Sequence, residues 1–382
     1  MLFTSGNKRG IFLFLMLSLS LFSRLDAADI RASDPFIDSL LETLGPEEKA
    51  GQMILVYNSP YAFLRDHKVG GVLVMQNMLK EPCSLRIHLR RAQKKLPIPL
   101  LVTIDQEGGA VNRLSPLTGW KKTPSARELG EWEPDSVRSY ARRVAAKLRR
   151  IGINMNLAPV VDPAVNSENR ETYMGRKNRS FGNDTQRIAP PARAFIKGFS
   201  DRNVLCVAKH FPGYDVTTNS DLEAAFSNAD TQAIAGYASV YSAIEPLIAG
   251  IMMTSIRYRA VSDTPAVFSS SMVSRARSIS GDKIIMTDDL WGAALRGYVL
   301  PDSTVHPARY PDSAFARLVE SAVRAGNDML MITYPQKVPL MITTIMAMAE
   351  NDASIKAHID NAVRRILKAK NKLGLIGTKA HR

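Results

Sequence analysis

Short runs of apolar residues alternate along the chain with longer segments in which apolar residues recur every three or four positions. The short runs are apolar nearly throughout, as is typical of parallel strands that are covered on both faces. The longer segments have the period of amphipathic helices. Eight strands are predicted, at 53–57, 69–75, 99–105, 155–162, 204–211, 247–255, 283–289 and 328–334.

Helices are predicted between and after these strands. The segment 353–370 places Ile355, Ile359, Val363 and Ile366 on one apolar stripe. The other clear helices are predicted at 84–95, 134–151, 184–200, 231–245 and 312–325. Repeated strand–helix units imply a parallel sheet, and eight of them favour a closed barrel over an open, doubly wound sheet. We therefore predict an α/β fold, a single-domain (β/α)8 TIM-type barrel.

The first 27 residues differ from the rest of the chain. Lys8 and Arg9 precede an apolar run at 11–22, and the small residues Ala27 and Ala28 follow it. This order is typical of a secretory signal peptide, and the run is short for a membrane span of roughly 20 residues. We predict a signal peptide at 1–27, with an uncleaved membrane anchor as the alternative, and the barrel at 28–382. A periplasmic or secreted location is expected.

The chain has 50 Lys and Arg residues against 36 Asp and Glu residues, a formal net charge of +14. Such a charge suits anionic surroundings, such as a cell-wall polymer, a membrane surface or nucleic acid. Basic pairs such as Arg90-Arg91 and Arg142-Arg143 lie in predicted helices, where a solvated helix face explains them. No zinc-finger, RNA-binding or helix-turn-helix pattern is present. We expect no nucleic-acid partner, and a monomer.

The sequence gives no support for a metal or a cofactor. It contains no HExxH, no paired Cys-x-x-Cys, no P-loop and no GxGxxG stretch. The two cysteines, Cys83 and Cys206, are too few for a disulfide framework. We predict that the protein works with its own side chains alone.

Polar residues end four of the predicted strands. Asp105 ends the third strand and Asp162 the fourth; Lys209 and His210 lie at the end of the fifth, and Asp288 at the end of the seventh. A helix N-cap explains one such carboxylate. Four polar strand ends at the same edge of the barrel are costly to bury unless their charges are paired or take part in the function. Because the C-terminal strand ends of a barrel converge on its active-site face, we predict a charged site there.

Five segments at and after these strand ends resemble glycoside hydrolase family 3, and within it the single-domain bacterial β-N-acetylhexosaminidase branch. They are IDQEGGAVNRL at 104–114, NLAPVVD at 156–162, RSFG at 179–182, KHFPG at 209–213 and TDDL at 287–290. The likeness extends over nearly the whole chain after the signal-like segment. It implies a glycosidase that releases terminal β-linked N-acetylglucosamine from peptidoglycan-derived or other amino-sugar glycans. Family members of this type form a covalent intermediate and retain the configuration.

The resemblance also implies roles for individual residues. Asp288, which follows Thr287 on the seventh strand, corresponds to the family's nucleophile. Charged side chains form strong hydrogen bonds to sugar hydroxyls. The positions that match the family's substrate-binding residues, for hydroxyls and the N-acetyl group, are Asp105, Arg113, Arg179, Lys209 and His210.

The chain departs from the family at the general acid/base. The family has a His in an Asp-Ser-His triplet on the loop after KHFPG, and here Asn219-Ser220-Asp221 matches that triplet. Tyr214 also replaces a usual His, and no His occurs between 210 and 306. An Asp with a reference pKa of about 3.9 needs a pKa of about 6–7 to donate a proton at neutral pH.

The resemblance and the loop sequence leave three candidates for the acid/base. Asp221 is the first, because it stands in the place of the His, and Asp215 and Glu223 are the alternatives on the same loop. Two other functions also stay open. One is a catalytically weakened, sugar-binding relative without an efficient acid. The other is a β-glucosidase or β-xylosidase, although such branches usually have a second domain that supplies the acid.

Overall fold

The structure, a computed structural model, describes residues 34–301 and 309–377. The predicted signal segment at 1–27 lies outside these ranges. Among the described residues, none of the helices combines the length and the hydropathy of a membrane span.

Eight parallel strands form a closed barrel. In the order in which they pair, they are β1 (Ile54–Tyr57), β2 (Gly71–Val74), β3 (Leu101–Ile104), β4 (Met155–Asn156), β5 (Leu205–Phe211), β7 (Gly250–Met253), β9 (Ile284–Asp289) and β10 (Met329–Ile332), which pairs with β1. Every predicted strand contains one of them. The predicted (β/α)8 barrel is thus confirmed.

Helices surround the barrel. They are α1 (Pro35–Thr43), α2 (Pro46–Gln52), α3 (Tyr61–His67), α4 (Pro82–Lys95), α5 (Ala126–Gly130), α6 (Pro134–Ile151), α7 (Tyr173–Arg176), α8 (Thr185–Ser200), α9 (Thr231–Ile244), α10 (Ser270–Ser280), α11 (Ala293–Val299), α12 (Asp312–Ala325), α13 (Val338–Asn351) and α14 (Ala353–Lys372). The predicted bounds of α6 and α12 are confirmed at both ends. Gly152 and Gly326, at φ of 110° and 102°, end these two helices in the left-handed conformation that favours glycine.

Two details of the strands were not predicted. β4 is only two residues long, because Pro159 has no amide hydrogen and interrupts the ladder before Val160 pairs with Lys209. A separate two-stranded parallel sheet joins β6 (Phe226–Ser227) and β8 (Arg257–Tyr258). Elements of two residues leave no readable hydrophobic period.

Apolar side chains from the strands and the surrounding helices form one continuous core. Val56, Val72 and Ile104 on neighbouring strands are fully buried, as is typical of a filled barrel interior. Cys206 on β5 is also buried, and burial raises the pKa of its thiol. It therefore acts as a small packing residue.

A group of charges is buried at the N-terminal end of the barrel. The carboxylate of Asp328, just before β10, accepts hydrogen bonds from Arg277, from Arg365 at 2.9 Å and from the amide of Ile285 at 2.8 Å. We call Asp328, Arg277 and Arg365 the N-terminal cluster. Because the carboxylate is paired on both oxygens, the cluster joins α10, α14 and the strands β9 and β10.

Candidate active site

A cavity of about 430 Å³ opens at the C-terminal end of the barrel. Its wall contains every site residue predicted from the sequence, namely Asp105, Arg113, Arg179, Lys209, His210, Asp221 and Asp288. These residues follow different strands, so the barrel fold brings them together from positions up to 183 apart (288 − 105) in the chain. A groove of about 490 Å³ beside α13 and α14 is lined mostly by apolar side chains.

One wall of the cavity is a network of ion pairs. Lys209 Nζ lies 2.7 Å from Asp105 Oδ1 and 2.8 Å from Glu107 Oε1. Arg179 binds Glu107 through two hydrogen bonds, of 2.7 and 2.9 Å. Burial alone would raise the pKa of Glu107, but Arg179 and Lys209 outweigh it and hold that pKa well below its usual range. Glu107 and its two cationic partners therefore favour their charged forms.

Arg113 adds a cation with unused hydrogen-bonding capacity. Its Nη2 lies 4.0 Å from Asp105 Oδ2, the outer limit of an ion pair, and its buried Nε has no partner among the described residues. A buried donor without a partner is costly, and a ligand oxygen in the cavity would satisfy it. Arg113 and Asp105 thus present a donor and an acceptor to a polyhydroxylated ligand.

His210 is fixed by a carboxylate behind it. Its Nδ1 lies 2.7 Å from Asp162 Oδ2, and Asp162 Oδ1 accepts the backbone amides of His210 and Tyr214 at 2.9 and 2.8 Å. Since Asp162 occupies Nδ1, Nε2 is the ring nitrogen that remains for a ligand. Asp162 therefore orients the ring of His210 as its buried partner.

Three carboxylates of the cavity, Asp221, Asp288 and Asp289, lack ion-pair partners among the described residues. Asp288, at the end of β9, accepts only the amide of Asp289, at 2.8 Å. Burial raises the pKa of Asp288, and the nearby charge of Asp221 adds to this effect. Burial and the charge of Asp289 likewise raise the pKa of Asp221, while His210 opposes the shift. Because each charge disfavours another, Asp221 and Asp288 favour a state in which one is protonated and the other ionised.

Asp289 is the third of these carboxylates without an ion pair, and it was not predicted as a site residue from the sequence. It accepts the amides of Trp291 at 3.0 Å and Thr333 at 3.1 Å, and the hydroxyl of Thr333. Burial raises its pKa to about 6. Asp289 therefore places a further titrating charge beside Asp221.

Of the three candidates for the acid/base, only Asp221 lines the cavity. Asp215 is buried elsewhere, accepts the hydroxyl of Ser227 at 2.7 Å and faces a separate space of about 180 Å³. Glu223 is exposed on the protein surface. Asp215 and Glu223 thus lie outside the cavity that contains Asp288 and the ion-pair network of Lys209 and Arg179.

Three further residues complete the site: Glu107, Asp162 and Tyr214. Asp162 was recognised as a polar strand end, but its role beneath His210 was not predicted. Glu107 lies in the segment IDQEGGAVNRL at 104–114, two residues after the end of the predicted third strand. Its position close to a strand end is the only sequence signal that could have selected it.

The barrel, the strand-end charges and the sequence place this chain in an enzyme family. The chain belongs to glycosyl hydrolase family 3, whose N-terminal domain matches residues 46–369. The resemblance inferred from the five segments is thereby confirmed.

Individual relatives are more distant. The β-hexosaminidase of Nitrosomonas eutropha is 30% identical over 281 residues, which cover 69% of this chain and 73% of that protein. The β-hexosaminidase LpqI of Mycobacterium tuberculosis is 35% identical over 180 residues, which cover 45% of this chain and 44% of LpqI. The stretch matched to LpqI is thus less than half of that protein.

Solved structures agree with this assignment. The β-N-acetylhexosaminidase of Beutenbergia cavernae matches with a TM-score of 0.72 and 27% identity, covering 86% of this chain and 99% of its own. The structure of M. tuberculosis LpqI matches with a TM-score of 0.75 and 25% identity, covering 87% and 96%.

Proposed function

We propose that this chain is a retaining glycoside hydrolase that releases terminal β-linked N-acetylglucosamine, with Asp288 as the nucleophile and Asp221 as the general acid/base. The relatives named β-hexosaminidase and β-N-acetylhexosaminidase support the substrate class. The observation that carries the proposal is that Asp221 and Asp288, two carboxylates without ion-pair partners among the described residues, line one cavity. The ion-pair network of Lys209 and Arg179 lines the same cavity.

In the first step, a carboxylate oxygen of Asp288 attacks the anomeric carbon, and the bond from that carbon to the aglycone oxygen breaks. Asp221 donates its proton to the leaving oxygen. In the second step, Asp221 takes a proton from water, and the water oxygen displaces Asp288 from the anomeric carbon. Two displacements give net retention of configuration.

The first step requires Asp288 to be ionised and Asp221 to be protonated. Burial raises the pKa of both carboxylates, and the charge of Asp221 further raises that of Asp288, so that one of the two holds a proton while the other is ionised. Once Asp288 is esterified by the sugar, its charge is gone and the pKa of Asp221 falls, so that Asp221 serves as the base. Asp105, Arg113, Arg179, Lys209 and His210 hold the sugar's hydroxyls and N-acetyl group.

A comparison of two substrates tests the acid/base assignment. Nitrophenyl N-acetyl-β-glucosaminide has a good leaving group that scarcely needs an acid, whereas N,N'-diacetylchitobiose needs one. We expect the wild-type chain to hydrolyse both. Asp221→Asn should lower kcat/KM about 10²–10⁴-fold for the disaccharide and far less for the aryl glycoside. Glu223→Gln, an exposed change on the same loop, is the control and should leave both rates unchanged.

The same experiment distinguishes the alternative functions. If the wild type hydrolyses the aryl glycoside alone, the chain is a weakened enzyme without an efficient acid. Binding of N-acetylglucosamine without any turnover would identify a sugar-binding relative. Preference for nitrophenyl glucoside or xyloside would support the β-glucosidase or β-xylosidase reading.

The acid/base pair also predicts a bell-shaped dependence of kcat/KM on pH. Activity falls at low pH as Asp288 gains a proton, and at high pH as Asp221 loses its proton, since the pKa of each is raised. In Asp221→Asn, the fall at high pH should disappear for the aryl substrate.

We further propose that the chain is exported through its N-terminal segment and acts as a monomer on peptidoglycan-derived or other amino-sugar glycans. The charged start, the apolar run at 11–22 and the small residues at 27 and 28 support export. Sequencing the N-terminus of the protein recovered from the cell envelope tests cleavage after residue 27. Retention of the whole segment in the membrane fraction would support an anchor instead.

A further inference from the structure

The loop that carries Asp221 begins at Tyr214, which follows directly after the KHFPG segment. The hydroxyl of Tyr214 accepts the amide of Ser220 at 2.7 Å and donates to the carbonyl of Thr218 at 3.0 Å. It therefore joins the start of the loop to its end, one residue before Asp221. Both Tyr214 and Ser220 are buried, so water cannot replace the bond between them without a rearrangement.

Tyr214 lines the cavity and is itself held in place through its backbone and its ring. Its amide donates to Asp162, the carboxylate that also binds His210, and its ring meets the ring of His210 edge to face with centroids 5.5 Å apart. The ring of Tyr173 lies 6.2 Å away on another side. A side chain held at its backbone and its ring provides a firm support for the loop at its hydroxyl.

The loop is held at a second place by the segment that follows Asp288. The amide of Ala293 donates to the carbonyl of Asp221, and the amide of Ala294 donates to the carbonyl of Ser220, each at 3.1 Å. These amides belong to the first turn of α11, where backbone donors have no partner within the helix. The backbone of Asp221 thus lies between Tyr214 and the helix that follows the proposed nucleophile.

We propose that Tyr214 is a positioning residue of the reaction: its hydroxyl holds the 218–221 backbone so that the carboxylate of Asp221 stays over the aglycone oxygen. This inference rests on the proposed function, because it needs Asp221 as the acid/base. Asp221 stands where the family resemblance expects a His. An Asp side chain is shorter than His, so the accuracy of its backbone placement decides whether the proton reaches the leaving oxygen.

Tyr214→Phe tests the proposal, since it removes the hydroxyl and keeps the ring against His210. We expect kcat/KM for N,N'-diacetylchitobiose to fall about 10–100-fold, whereas the value for the nitrophenyl glycoside falls less than about 3-fold. Tyr310→Phe is the matched control: it removes a buried hydroxyl that donates to the carbonyl of Arg296 at 3.1 Å, outside the cavity. It should not change the ratio of the two rates.

A double substitution separates positioning from a general loss of folding. In the Asp221→Asn background, Tyr214→Phe should have no further effect on the disaccharide rate, because the group that it positions is gone. An equal loss on both substrates, or full additivity with Asp221→Asn, would show a merely structural role and overturn the proposal. Unchanged disaccharide hydrolysis in Tyr214→Phe would overturn it as well.

The wild-type rates show which of the two claims has failed. If the wild type hydrolyses both substrates but Tyr214→Phe slows them equally, only the positioning role is wrong. If the wild type hydrolyses the aryl glycoside alone, Asp221 is not an efficient acid and the positioning role is wrong with it. If neither substrate reacts, the proposed hydrolase function itself is wrong.

Discussion

The barrel holds charged side chains at both ends, Asp328 fully buried and Asp221 exposed, and the two groups differ in how completely they are paired. In the N-terminal cluster, Asp328 accepts two arginines and a backbone amide, so that both of its oxygens are occupied. At the C-terminal end, Asp288 accepts a single amide, and Asp221 accepts no side-chain donor among the described residues. Both of these carboxylates face a cavity.

This difference separates supporting carboxylates, such as Asp328 and also Glu107 and Asp162 in the site, from those that we propose to react. A fully paired carboxylate is stable in the folded chain alone, whereas an underpaired one raises the free energy of the empty site and is stabilised only when a ligand arrives. Asp328 precedes one strand of the barrel and Asp288 lies near the end of another, whereas Asp221 lies on the loop after β5. Their hydrogen-bond partners, and not their burial, therefore indicate which end performs the chemistry.

Asp288→Asn should produce the largest effect. We expect the glycosidase rate to fall at least about 10⁴-fold, since the amide cannot form the covalent intermediate. The free energy of unfolding at pH 7 should be unchanged or higher. The folded state raises the pKa of Asp288, so any stability linked to its neutral form is present at low pH and is lost as the pH rises through that pKa. Steady-state kinetics and urea unfolding measure the two effects.

Asp328→Asn is the matched change at the other end and should do the reverse. It leaves Arg277 and Arg365 buried with weakened partners, and we expect a loss of about 3–5 kcal/mol in the free energy of unfolding. Rates measured well below the melting temperature should stay within about twofold of wild type. A large loss of kcat in a fully folded Asp328→Asn would contradict the division between the two ends.

Lys370→Met should have the smallest effect, and it should stabilise the protein. Lys370 on α14 is fully buried with one neutral partner, Gln52 Oε1 at 2.6 Å, and burial lowers its pKa to about 7. Burial thus disfavours the ammonium form, so a charged Lys370 lowers the stability of the folded state. A methionine of similar length should add on the order of 1–3 kcal/mol to the free energy of unfolding at pH 7.

The dependence on pH tests the same residue independently. Because the folded pKa of Lys370 is lowered, its neutral form prevails above about pH 7, while the unfolded chain binds the proton up to about pH 10.5. Wild-type stability should thus rise between pH 7 and 9 relative to Lys370→Met, by about 1 kcal/mol per pH unit. Parallel stability curves for the two proteins would show that the pKa of Lys370 is not lowered in the folded state.

The sequence predicted the barrel because parallel strands buried on both faces are continuous apolar runs, such as those that became β2 and β10. Strand direction predicted that Asp105, Lys209, His210 and Asp288 meet at the C-terminal end. The family resemblance, and not the strand pattern, selected Arg113, Arg179 and Asp221. The two-residue strands β6 and β8 left no such pattern.

The side-chain contacts within the site could not be predicted from the sequence. Glu107 meets Arg179 72 residues later, and Asp162 meets His210 48 residues later. No local spacing encodes these contacts, which depend on loop paths and side-chain rotamers. The same holds for the bond between Tyr214 and Ser220: a short separation did not reveal that the loop closes on itself. The choice among Asp215, Asp221 and Glu223 likewise needed three-dimensional placement.

Trapping the covalent intermediate tests the central claim most directly. The wild-type chain would be incubated with a fluorinated N-acetylglucosaminyl fluoride, which forms the glycosyl–enzyme rapidly and releases it slowly, and then digested and mapped by mass spectrometry. We predict a single added sugar on the peptide that contains TDDL at 287–290, attached to Asp288, and no label in Asp288→Asn. A label on another residue, or an active enzyme that never becomes labelled, would contradict the account.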